Sequence, residues 1–511
     1  MSTLTISTFK PMAAGSDFAD WLSPILVKEL RQGLKTRMFV SVFILLQAVM
    51  IIIVGLQLLS MARGAGRSQM QEFDWFFWAV IWVPLLVVMP ARGLAAVSSE
   101  LKANTLDLVQ LTKLTAFRIV LGKWVALVAQ TLLLVAAVLP YTVLRYFFGR
   151  VDVVMDLTML LGMVQGSLVL TAMAVMLSSM HLVVRILVVL AALPLSAALV
   201  SAVGMFMTFR TAGSGLVGAT SAGAGVWMWL FGILGTVVTV YFLLEMAAGR
   251  IAPLAENHSG RRRAVALGLV LILPLIIWMN DDPNMALVGL VYSMLPLWAW
   301  SVLEALCERT VMVPSLYRPF ARRGFWGRLA GRVFYPGWAS GVVFVGLMMV
   351  LLGGMILIGD YLHNDLDGVW SDIDEWGVAV PLLMTSLVLP VLVMRLFPRM
   401  KQPVWVYLLV QALFVLLFLV AWIIAEVPGA TRGDRDSAYV WLAPFPFSAF
   451  LGLMTRNFSW DLVSAYMVVS LPVCGLVWMG LGVVMWKEFR VIRGLERESL
   501  GDVGSDSGTK S

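Results

Sequence analysis

Stretches of about twenty apolar residues recur from end to end of the chain, and this recurrence restricts the fold more than any other feature. A helix rising 1.5 Å per residue needs roughly 20 such residues to cross ~30 Å of hydrocarbon. Runs that meet the rule lie near 38–60, 75–91, 124–147, 157–179, 182–209, 226–248, 264–280, 285–306, 338–358, 377–397, 404–425 and 462–486. They predict an all-α integral membrane protein with about twelve transmembrane helices. Composition agrees: 60% of residues are hydrophobic and 13% charged, whereas soluble chains carry about 25% charged residues. Lipid must therefore act as much of the solvent. The first run begins near Met38 and passes twenty residues, so it reads as a retained anchor and not as a cleaved leader. Segment 438–454 is apolar but broken by Pro444 and Pro446, which predicts a re-entrant or interfacial hairpin whose backbone other helices must bury.

Charge tests the helix count. With both termini inside, the inner segments hold 29 of the 37 basic residues and the outer ones 8, among them Arg145 and Arg150. That is the asymmetry of the positive-inside rule, and a cytoplasmic (inner) membrane is the expected location. A pI near 9.5 then reflects membrane topology and not a nucleic-acid partner. The chain divides into a cytoplasmic tail and entry helix over 1–37, a six-helix unit over 38–250, a second over 251–486 and a cytoplasmic tail over 487–511. Each unit has a long basic inner loop, 92–123 and 304–337, and an irregular outer segment, 212–225 and 438–454, the pattern of an internal repeat.

Catalytic chemistry is hard to find. Gly122-Lys123 is the nearest approach to a P-loop, but Trp124 stands where a Ser or Thr would bind magnesium, and Phe117 replaces the first glycine. The histidines His181, His258 and His363 form no zinc motif, and Ala219-Thr-Ser-Ala-Gly223 lacks the strand that a nucleophile elbow requires. Cys307 and Cys474 offer no disulfide framework. The acidic stretch from Asp360 to Glu375 lacks calcium-loop spacing and reads as a solvated outer loop. Glu245, Glu304, His181 and Arg185 lie near inner helix ends, where interfacial anchoring outweighs a proton relay. Gln47, Gln57, Gln130, Gln165 and Gln411 suit either a pathway lining or bonds between helices, and Gly162 with Gly166 permits close helix packing. No catalytic residue, cofactor or metal is expected, so the chain is not read as an enzyme.

Two inner segments carry more specific information. In Ser23-Pro-Ile-Leu-Val-Lys-Glu-Leu-Arg31, Ser23 can cap a helix and Pro24 can occupy its first position. Ile25, Leu26, Leu30 and Leu34 form an apolar face among Lys28, Arg31 and Lys35, which predicts an amphipathic helix along the inner leaflet. Between the second and third spans, Leu101, Thr105, Leu108 and Thr112 follow helical spacing with Leu111 alongside, a short helix suited to a partner's groove.

At these residues the chain resembles the ABC-2 type permeases of ATP-binding-cassette transporters. The entry-helix motif corresponds to Pro24, Lys28, Glu29, Leu30 and Arg31, and the first inner-loop motif to Glu100, Thr105, Leu106, Asp107, Leu108, Leu111, Thr112, Leu114, Gly122 and Lys123. Asn104 and Lys113 depart from the family's glycine and proline. The stretch Ile251–Asn257 is similar to larger bacterial members. The resemblance implies a bacterial multi-pass exporter subunit with two six-helix units. Its inner-loop coupling helix would dock on an ABC ATPase carried by a separate chain, with the lipid bilayer and a second copy or another permease subunit as further partners. Two other classes stay open: a membrane scaffold or assembly protein that keeps a permease-like fold, and an ion-coupled secondary transporter, which the lack of a mid-span carboxylate disfavours.

Overall fold

The computed structural model describes residues 24–62, 76–98, 115–147, 153–180, 222–252, 256–278, 298–363, 366–396, 403–425, 439–455 and 460–506, all helix, turn or irregular chain with no strand among them. Among the described residues, eight helices are long and apolar enough to cross a membrane, and a bent pair supplies a ninth if counted as one span. The expected run at 182–209, most of that at 285–306 and the Gly-rich 212–221 lie outside the described residues. The chain forms two compact units, Met1–Ala252 and Pro253–Ser511.

In the first unit, α1 (Pro24–Leu34) breaks for two residues and gives way to α2 (Arg37–Ala62). After it come α3 (Phe76–Gly93), α4 (Ala116–Phe147), α5 (Val153–Ser178) and α6 (Ala222–Ile251). Their shared core joins Phe39, Leu46 and Met50 of α2 to Phe77, Ile81 and Leu85 of α3 and Leu134 and Val138 of α4. Leu45, Ile51 and Ile52 on the other side of α2 are 60% exposed or more, which in a membrane is the lipid face.

Helix α3 contains a π-helical stretch, Val83–Val88, where Met89 N–H reaches back to Pro84 O. In that register Leu85 O would pair with residue 90, which is proline and has no N–H. Ser167 Oγ of α5 donates to Leu85 O instead, at 2.7 Å. The unpaired carbonyl thus becomes a link between helices.

The second unit contains α7 (His258–Trp278), α8 (298–307), short turns over 314–321, and α9 (Gly324–Phe334). There follow α10 (Trp338–His363), α11 (Leu366–Leu396), α12 (Pro403–Ala425), α13 (Pro446–Thr455) and α14 (Trp460–Asp506). Helices α10 and α11 are separated by two residues, so the backbone of the stretch read as a solvated acidic loop is almost wholly helical. Intrahelical hydrogen bonds let both helices continue beyond their apolar runs.

The proline-broken segment is packed by other helices. Tyr439, Leu442, Ala443, Ala449 and Leu453 share a core with Leu382 of α11, Ala421 of α12 and Tyr466 of α14. Its turn carbonyls are satisfied by side chains: Tyr466 OH donates to Tyr439 O at 2.8 Å and Ser470 Oγ to Ala443 O at 2.7 Å.

Helix α14 runs unbroken for 47 residues, roughly 70 Å at the standard rise. The segment beyond Trp486, expected as a tail, therefore continues as helix. Ile492 buries against Leu316, Tyr317 and Tyr335, while Thr310 donates to Glu488 at 2.5 Å and Tyr335 to Glu496 at 2.9 Å.

Candidate functional site at the entry helix

Pro24 opens α1, as its fixed φ and missing N–H favour. Val27 and Leu30 are half-buried whereas Lys28 and Arg31 are exposed. The helix packs on α4. Glu29 on its flank accepts from Lys123 Nζ at 2.9 Å, with the lysine side chain 6% exposed and the carboxylate side chain 23%. A buried ammonium requires such a partner, because leaving it alone in an apolar setting costs several kcal/mol.

The other end of α1 is held by α3. Arg92 Nη2 donates to Gly33 O at 3.2 Å and Thr36 Oγ1 at 3.1 Å, and Nη1 donates to Gln130 Oε1 of α4. The guanidinium also lies 5.6 Å from the Phe39 ring. A cation at the C-terminal carbonyls of a helix is favoured by the helix dipole. A Cβ at Gly33 would overlap the Gln130 side-chain amide, so glycine lets α1 and α4 approach with that amide in its hydrogen-bonded position.

These contacts define a base for the loop between α3 and α4. The loop leaves α3 through a turn at 94–97, where Val97 N–H donates to Ser178 Oγ at 3.2 Å, and it re-enters at the start of α4. Both flanking helices therefore bond to α1, one through Arg92 and the other through Lys123. Of the sequence-predicted residues, Glu29 and Lys123 are brought together and Gly122 lies half-buried beside Lys123. Glu100, Thr105, Leu106, Asp107, Leu108, Leu111 and Thr112 lie outside the described residues. Sequence reasoning missed Gly33, Thr36 and Arg92 as a cluster with Gln130, because no local pattern links positions this far apart.

The remaining polar candidates mostly join helices. Tyr141 OH donates to Gln47 Oε1 at 2.7 Å and Gln411 Nε2 to Ser386 O at 2.8 Å. Glu304 pairs with Arg262 at 2.7 Å, and Glu245 is buried at 1% exposure. Arg145, expected in an outer loop, is instead buried on α4, 3.2 Å from Asp156 and 4.0 Å from the centre of the Phe77 ring. A Cβ at Gly166 would meet Leu86, whereas one at Gly162 would meet nothing within 4 Å among the described residues.

A second polar cluster builds the corner between α9 and α10. Arg263 Nη1 donates to Val333 O, Tyr335 O and Ser340 Oγ at 2.9, 2.8 and 3.1 Å. Its Nη2 donates to Glu308 Oε2 at 2.7 Å and Gly337 O at 3.0 Å. Gly337 has φ +129°, a region suited to glycine. Nearby, Tyr317 OH donates to Val311 O at 2.8 Å. Burial first, then Glu488, Glu308 and Glu496, push its pKa up to about 12. A groove of 530 Å³ lies between the first turn of α7, residues 315–320 and Phe334.

The chain matches no family model, no curated protein and no solved structure.

Proposed function

We propose that the chain is the membrane-spanning permease of an ATP-binding-cassette exporter of the ABC-2 type, driven by an ATPase on a separate chain. The observation that carries this reading is the Glu29–Lys123 ion pair. It joins the two segments that bear the family-like motifs, which lie 94 positions apart. In this reading the 100–114 segment docks on the ATPase in the cytoplasm. Nucleotide-driven closure shifts that segment, and α3 and α4 pass the shift to α1 through Arg92 and Lys123. The rigid helices then carry the movement to a path through the bilayer.

The test is co-purification with an ATPase from the native membrane, followed by the double variant Glu100→Ala, Leu111→Asp. Loss of the ATPase with retention of a folded permease is the expected result. Labelling of an Ala103→Cys variant by an impermeant reagent from the outer side alone would overturn the reading.

A further inference from the structure

We propose that α9 is a membrane-surface anchor that binds anionic phospholipid headgroups and seats its aromatic face at the boundary between headgroups and acyl chains. One side of this helix faces the protein through Gly327 and Gly331, where a Cβ would overlap Phe320 O and the Tyr335 ring. The other side is apolar and bare: Phe325 and Trp326 are 73% and 76% exposed and Leu329 is 45% exposed. At about 100° per residue, Phe325, Leu329 and Val333 fall in one row with Trp326 and Ala330 beside it. Arg328 and Arg332 border that row, Arg322 and Arg323 precede it, all four are exposed, and the helix contains no acidic residue. Arg332 also lies 5.9 Å from the Phe489 ring.

Adjacent bare aromatic rings edged by arginines match the chemistry of an anionic lipid surface, where rings settle at the interface and guanidinium groups meet phosphates. Geometry favours the same occupant. The axis of α9 turns by 93° into the apolar helix α10, so with α10 along the bilayer normal α9 lies in the membrane plane. The Arg263 hydrogen bonds to Val333 O, Tyr335 O and Gly337 O fix that corner and hold the face in place. This inference is independent of the permease reading.

The full chain is placed in nanodiscs of phosphatidylcholine with a minor fraction of phosphatidylglycerol, with an environment-sensitive fluorophore on a Phe325→Cys variant. The native Cys307 and Cys474 are both buried. Lipids brominated close to the headgroup should quench the fluorophore and aqueous iodide should not. Brominated phosphatidylglycerol should quench more per molecule than brominated phosphatidylcholine, and Arg322→Gln with Arg328→Gln should reduce that preference by about fivefold per charge removed. Quenching by iodide would overturn the proposal by placing the face in water. Quenching by neither agent would overturn it by placing the face against protein. Equal quenching by both lipids in the chain with all its arginines would remove the anionic specificity.

Discussion

Lys123 Nζ lies 2.9 Å from Glu29 Oε1, so a lysine two turns into a membrane-spanning helix is neutralised by the helix that precedes the first span. Removing one partner leaves a mostly buried charge uncompensated, which costs about 3 kcal/mol. Glu29→Lys should lower the thermal unfolding midpoint in detergent, and Glu29→Lys with Lys123→Glu should recover most of the loss. No recovery in the reversed pair would show that the ion pair does not hold α1.

A Cβ at Gly33 would overlap the Gln130 side-chain amide, which hydrogen bonds with Arg92 and Ala126 O hold in place. Gly33→Ala should therefore destabilise by about 1–3 kcal/mol through overpacking. Gln130→Ala in the same chain should relieve the clash, giving a favourable coupling in a double-mutant cycle. Additive losses would place the two residues apart.

The Ser167–Leu85 link permits a sharper test. Ser167→Ala leaves a buried carbonyl without its donor and should cost about 1–3 kcal/mol. Adding Pro90→Ala supplies the missing backbone N–H and should return part of that stability. A larger loss in the double variant would argue that Pro90 serves the helix in another way.

Arg263 satisfies four oxygens around the α9–α10 corner in addition to Glu308. Arg263→Gln should destabilise by at least about 3 kcal/mol, because Glu308 loses its charged partner as the corner loses its donors. Spin labels at Trp326→Cys and Val350→Cys should report a wider spread of distances across the bend.

Tyr317 titrates near 12 in the fold against an ordinary 10, so its contribution is complete below about 10 and is lost as pH rises through about 12. Tyr317→Phe has no proton to lose. The difference in unfolding midpoint between the parent chain and this variant should shrink across that window, measured by thermal scans at successive alkaline pH values.

Much of the helical architecture was legible because apolar length against hydrocarbon thickness is a one-dimensional quantity. Pro24 marked the start of α1, and Pro444 and Pro446 marked the broken segment, since proline acts on its own backbone. Glu29 and Lys123 could each be singled out by motif, yet nothing in the sequence said that they meet. Gly33 and Arg92 carried no local signature at all, and neither did the Arg263 corner. The helical course of the acidic stretch and of the segment beyond Trp486 was hidden for a related reason: polar residues outside hydrocarbon fit loop and helix equally well.

The sequence by itself determined that this chain crosses a bilayer many times as helices, because lipid leaves backbone groups no other partner and apolar run length sets each crossing. Tertiary structure decided which charges are buried together, where α9 turns by 93° into α10, and which faces stay bare. Those outcomes depend on side chains as far as 178 positions apart coming within hydrogen-bond reach, a three-dimensional condition that no local pattern encodes.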